Sequence, residues 1–201
     1  MHCPYCQAPA FETSPRCPRC GFSLDQVNAL FDPLPPLQPG LSDLAGLCRP
    51  RDVRRLKDAT ARLRDHFPQI TFSIVTTTLQ PDQPLTAFAF WVFNRSGVCA
   101  DSARGGRSRD ILLTLDAANA RASLMIGYGL EPFVSSNTLQ EIVNHGSPHF
   151  ARDHWVDGII AIIDATTHAL TTICASLEKS FGLDMDAVQS AEARPGPAGP
   201  A

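Results

Sequence analysis

No apolar segment opens this chain. Residues 1–20 carry cysteine, proline and polar side chains where the hydrophobic stretch of a secretory signal would sit. Nor is there an uninterrupted apolar run of about 18 residues, so no transmembrane helix is expected. Both absences point to the cytoplasm, where thiols stay reduced and structural disulfides are not expected. Charge of one sign is missing as well. The net charge is -3, so no long-range field draws the protein to nucleic acid or to an anionic membrane. Gly-x-Ser-x-Gly, His-Glu-x-x-His, P-loop and dinucleotide-binding fingerprints are all absent, which removes the most readable enzyme classes. What remains is a chain of 201 residues with 44% hydrophobic and 18% charged residues, enough for one domain with a real core plus a small appendage.

The appendage is visible first. Four of the seven cysteines fall in two Cys-x-x-Cys pairs, Cys3 with Cys6 and Cys17 with Cys20, ten residues apart. Two tight knuckles presenting two sulfurs each complete a tetrahedral zinc site. Pro4 and Pro18 stiffen the knuckles, Arg16 and Arg19 offset the excess negative charge of four thiolates, and Gly21 supplies the turn after the last sulfur. A redox Cys-x-x-Cys would need a preceding strand, and none is present. The pattern resembles a zinc ribbon, with Gln7 where a glycine is common. About 20 residues cannot bury a core, so the metal supplies on the order of 10 kcal/mol or more of folding energy. With four protein ligands no coordination position stays open, and the zinc is structural. The ribbon then serves as an N-terminal cap or as a partner site. Its two arginines are too few for a nucleic-acid footprint.

Residues 23–32 read as a short helix with Leu24, Val27, Leu30 and Phe31 on one side. Four prolines in residues 33–40 make a semi-rigid spacer. The expected division is a ribbon over 1–22, helix and linker over 23–48, an α/β domain over 49–180 and a disordered tail over 181–201. Val53, Leu56, Thr60, Leu63 and Phe67 recur at helical spacing, with interleaved Arg and Asp forming a solvated face. Residues 70–79 are β-branched and read as a strand. Residues 85–94 are apolar nearly all round and read as a buried helix whose aromatics are core. Strands are expected over 110–115 and 121–128, joined by a hairpin at DAANA. Helices are expected near 136–145 and over 153–179. The helical crossover makes the strands over 70–79 and 110–115 parallel, and the tight turn makes the hairpin pair antiparallel. The expected fold class is α/β, an α/β/α sandwich with a mixed sheet behind a small zinc ribbon.

One stretch is specific. An apolar strand, a hairpin, Arg121, then Gly127, Tyr128, Gly129, Leu130 and Glu131, followed by Pro148 and Phe150 and a helix start at Asp153, Trp155 and Gly158, resembles the TPM domain family over roughly residues 49–175. His154 displaces the aromatic by one place from the usual acid-Tyr spacing. The resemblance implies the α/β/α fold. It also implies a choice of activities, since some members are acid phosphatases, some bind calcium and some act as assembly factors. Many carry a signal peptide and a membrane helix, so this chain reads as a cytoplasmic variant. The family usually has an acidic-Asn-Gly turn before the second strand. Here Ser108, Arg109 and Asp110 stand there, with one carboxylate fewer and one cation more.

The candidate site groups Asp110 and Glu131 as catalytic residues, with Gly127, Gly129 and Glu131 as the family's cofactor-binding motif and calcium as the implied ion. The glycines permit close approach or positive φ, and Glu131 either caps the following turn or binds a cation with Asp110. Arg104, Arg107 and Arg109 in the glycine-rich loop 97–109 either hold an anion or sit in solvent. His145, His149 and His154 read as surface or capping residues, Cys174 as core, and Cys99 as a weak nucleophile. Two functions remain: a non-catalytic interaction or assembly module with a protein partner, and a metal-dependent phosphatase-like hydrolase.

Overall fold

Apolar and β-branched residues fill Thr71–Thr77 (β2) and Asp110–Asp116 (β3), and these two stretches form the centre of a four-stranded sheet. The computed structural model describes residues 3–6, 8–9, 14–95 and 109–180. Loop residues 97–108, with Cys99, Asp101, Arg104 and Arg107, and the tail 181–201 lie outside the described residues. Strand order is β1-β2-β3-β4, with Leu41–Asp43 as β1 and Arg121–Ile126 as β4. β1, β2 and β3 run parallel, and β4 returns antiparallel to β3, pairing Ile111 with Ile126 and Asp116 with Arg121. The helices are Leu24–Phe31 (α1), Pro50–His66 (α2), Leu85–Arg95 (α3), Ser136–Asn144 (α4), Ser147–Phe150 (α5) and Trp155–Ser180 (α6).

Side-chain alternation along the strands divides the core. Phe72, Ile74, Ile111, Leu113, Leu115 and Leu124 face one layer, built from α2, α4, α5 and α6. The intervening Val75, Leu112 and Met125 face α3. The α/β/α sandwich with a mixed sheet is thus what the chain forms.

The apolar circumference of α3 has a physical reason. Its inner face packs on the sheet, and its outer face is covered by α1 and the cysteine-bearing segment. Phe31 meets Phe88 and Trp91 at ring separations of 5.2 and 5.6 Å, and Phe22 lies edge-on to Phe90 at 6.0 Å. Trp91 Nε1 donates to Asn28 Oδ1 at 3.0 Å, the Arg95 guanidinium reaches Asn28 and Asp32, and the Thr86 hydroxyl donates to the Pro4 carbonyl.

Four expectations change. Leu41–Asp43, assigned to the linker, is an edge strand of the sheet, so the α/β unit begins before residue 49. Only Val27 of the α1 stripe is buried and Phe31 is half-buried; Leu24 and Leu30 face solvent because α3 is met by one narrow side of a two-turn helix. Cys174 is exposed, since the last turns of α6 run past the sheet. The long helix itself, over Trp155–Leu177, is apolar and long enough to cross a membrane, with a mean hydropathy of 1.5. Composition alone therefore does not exclude a span. Its Val156, Ile159, Ile162 and Ile163 are buried in the core cluster shared with α2, while 33% of the apolar window is buried in all.

The residues from Pro148 to Gly158 have a packing role. Phe150 is 3% exposed, stacked on Trp155 at 5.7 Å and seated in a notch between Gly146 and Gly158. Asp153 turns the chain into α6 with a φ of 57°.

Candidate metal centre and edge-strand groove

The two cysteine knuckles share one backbone pattern. Cys3 N–H donates to the Ala8 carbonyl and Cys17 N–H to the Phe22 carbonyl, both at 2.8 Å. Gly21 follows with the expected positive φ of 74°. These turns bring the four sulfurs of Cys3, Cys6, Cys17 and Cys20 within 4.8 Å of one another. Cys3 to Cys20 and Cys6 to Cys17 both measure 3.7 Å. Zn–S bonds of about 2.3 Å at tetrahedral angles separate sulfurs by about 3.8 Å, so the donor set and its spacing fit one metal ion held by four thiolates.

The metal-free thiols titrate unevenly. The backbone amide of Cys20, with that of Arg19, outweighs burial at Cys17 and brings it down to about 6. Burial raises Cys3 against the amides of Cys6 and Tyr5. At Cys20 the Phe22 amide pulls down, but desolvation and the neighbouring thiols outweigh it and push the group up to about 12. Thiols crowded this closely cannot all ionise against one another, and a bound cation removes that conflict by replacing the protons.

Cys3 and Cys17 are buried in the same apolar cluster as Phe22, Val27, Trp91 and Val92. The ribbon is therefore docked on α3 of its own chain.

The expected pair, Asp110 and Glu131, sits at one end of the β3–β4 hairpin, where Gly127 N–H donates to the Asp110 carbonyl at 2.8 Å. Asp110 is buried, at 3% exposure, while Glu131 is exposed and lines a groove of about 560 Å³. Asp110 is not among the described residues of that lining. Gly127 and Gly129 are absent from the described positive-φ residues. Glu131 is not the cap of α4; the Ser135 side chain accepts from Thr138 N–H at 3.1 Å. Arg109, His145 and His154 are exposed and His149 half-buried, and among the described residues only the cysteines group as ligands.

Two carboxylates that sequence reasoning passed over close the carboxyl ends of the parallel strands. Burial opposes the charge of Asp43, but the Thr76 hydroxyl and the Cys48 and Leu47 amides outweigh it and hold the group below the usual carboxylate range. Burial likewise opposes Asp116, and Arg121, the Leu79 amide and Asn119 hold it down. Both fix loops. Cys48, raised to about 12 by burial first and Asp43 second, stays a protonated thiol.

The groove runs along β4. Its walls are α3, through Phe90 and Phe93, and α4, through Leu139 and Val143, with Pro4 of the ribbon at the rim.

The family model of the TPM domain matches residues 41–169, more than half of the chain. The chain belongs to the TPM domain family. The TPM match starts at β1, in agreement with the sheet. No curated protein matches. Among solved structures, the N-terminal domain of a protein from P. gingivalis aligns with a TM-score of 0.50 and 21% identity, over 65% of this chain and 80% of that one. The N-terminal domain of the cg2496 protein from Corynebacterium glutamicum aligns with a TM-score of 0.51 and 12% identity, over 70% and 85%. At these identities the likeness shows the TPM fold alone.

Proposed function

We propose that this TPM domain protein is a non-catalytic interaction or assembly module of the cytoplasm, and that its four-cysteine centre holds a structural zinc ion. The observation that carries this reading is the chemistry of the groove. Among its described lining residues Glu131 is the one carboxylate, set among apolar and uncharged polar side chains, a lining suited to holding a partner. Four thiolate ligands leave a zinc ion no open position for water or substrate, so the metal supports the surface that the ribbon helps to build.

The test is native mass spectrometry with elemental analysis, with and without calcium, followed by hydrolysis of a generic phosphoester with calcium or magnesium. One zinc, no calcium and no turnover dependent on Glu131 are expected. Calcium binding and hydrolysis that Glu131→Gln abolishes would instead establish the phosphatase-like hydrolase and overturn the module.

A further inference from the structure

The hairpin fixes which way the β4 backbone points. Gly127 N–H bonds to the Asp110 carbonyl, so the 110–127 pair is a hydrogen-bonded pair of the antiparallel ladder. Such pairs alternate along the ladder. The backbone groups of Ser123 and Met125 therefore face β3, and those of Ala122, Leu124 and Ile126 face outward. Three N–H donors and three carbonyl acceptors line the outer edge of β4, and no strand among the described residues pairs with it.

Edge strands are ordinarily blunted by shortness, proline, bulges or charge. β1, the opposite edge, is three residues long. β4 is six residues long in unbroken register, without proline or lysine, and its one charged residue, Arg121, is turned onto Asp116 at 2.6 Å. The edge is the floor of the 560 Å³ groove. Ser123 and Met125 face the α3 wall, and Ala122, Leu124 and Ile126 face the α4 side. Glu131 and Tyr128 stand at the carboxyl end of the strand.

We propose that the free edge of β4 binds an extended peptide segment of a partner protein, which adds as a fifth strand. This rests on the interaction-module reading and names its partner class. The occupant has apolar side chains at alternate positions, received between α3 and α4, and a Lys or Arg at the end lying over Glu131. The outward ladder supplies affinity by main-chain hydrogen bonds, and the two walls select the side chains. Charge complementarity to Glu131 sets the direction of the segment. A second copy of this chain fits less well, because its own α3 and α4 flank its β4 and helix would meet helix before the edges reach pairing distance.

The experiment uses the full chain with its metal and a displayed library of random decapeptides. Enrichment of alternating apolar sequences with a basic residue at one end is expected. The enriched peptide should slow amide exchange at residues 122, 124 and 126 by about tenfold or more, while residues 123 and 125, already bonded to β3, change little. Ala122→Pro removes one outward donor without touching the ladder to β3, and should weaken binding at least about tenfold while the free protein keeps its spectrum. Glu131→Gln should relax the basic preference and leave the apolar one. No enrichment, protection confined to other residues, or binding indifferent to Ala122→Pro overturns the edge site. Peptide binding elsewhere leaves the module reading intact, whereas calcium-dependent hydrolysis at Glu131 removes both. Concentration-dependent dimerisation abolished by Ala122→Pro would assign the edge to a second copy and overturn the peptide.

Discussion

Replacing Gly158 with alanine tests whether the most family-like part of the second half of the chain is there for packing. A Cβ at residue 158 would lie 2.3 Å from Phe150 Cε1 and 2.7 Å from Cδ1. Carbon atoms sit comfortably at about 3.5–4.0 Å, so the overlap exceeds 1 Å. The ring has nowhere to go: Trp155 stacks on one face, and its far edge already comes within 2.8 Å of the Cβ position of Gly146. Overpacking of this kind costs up to about 3 kcal/mol, and the better helix propensity of alanine returns at most about 1 kcal/mol. The net expectation is a loss of about 2 kcal/mol, or roughly 4–8 °C in Tm for a chain of this size. Equilibrium urea unfolding of the metal-loaded protein reads it directly. The double variant with Phe150→Leu should recover about 1 kcal/mol or more of that loss, because the two residues touch. A Gly158→Ala protein as stable as the parent in both backgrounds would refute the notch.

Other outcomes follow from the same geometry. Arg121→Ala leaves the fully buried Asp116 with Leu79 and Asn119 as partners; because Arg121 is itself 36% exposed, the loss is discounted to about 1–2 kcal/mol, read by thermal unfolding. Asp43 and Asp116 both have folded pKa values below the unfolded value of about 3.9, so near pH 4 the unfolded chain binds more protons. Their contribution is complete above about pH 5 and is lost as pH falls through 3.9 toward the folded values. Asp43→Asn should flatten the slope of urea midpoint against pH between 5 and 3, and an unchanged slope would remove Asp43 from this account. Chelation of the metal should loosen the α3 side of the sheet first, since Phe22 and the ribbon cover it. In a Trp155→Phe background, Trp91 emission should shift red while far-UV signal from the α2–α6 layer persists.

The sequence by itself determined the four clustered cysteines, the knuckle turns, the three long strands, the crossover and hairpin directions, and the buried character of α3. Each of these rests on local chemistry: cysteine spacing, β-branched runs, and an apolar helix circumference. Tertiary structure decided the rest. Leu41–Asp43 is too short for any period to declare, and only pairing with Ile74, Val75 and Thr76 makes it a strand. Val27 and Leu30 are equally apolar, and only the approach of α3 buries one of them. Asp110 and Glu131 are near in the hairpin, yet one is sealed in the sheet and the other opens on a groove. That groove is invisible in the chain because a free edge is a property of what lies beside a strand. The residues Ala122 to Ile126 carry no mark except the absence of charge and proline, whose meaning appears once β4 is the last strand of the sheet.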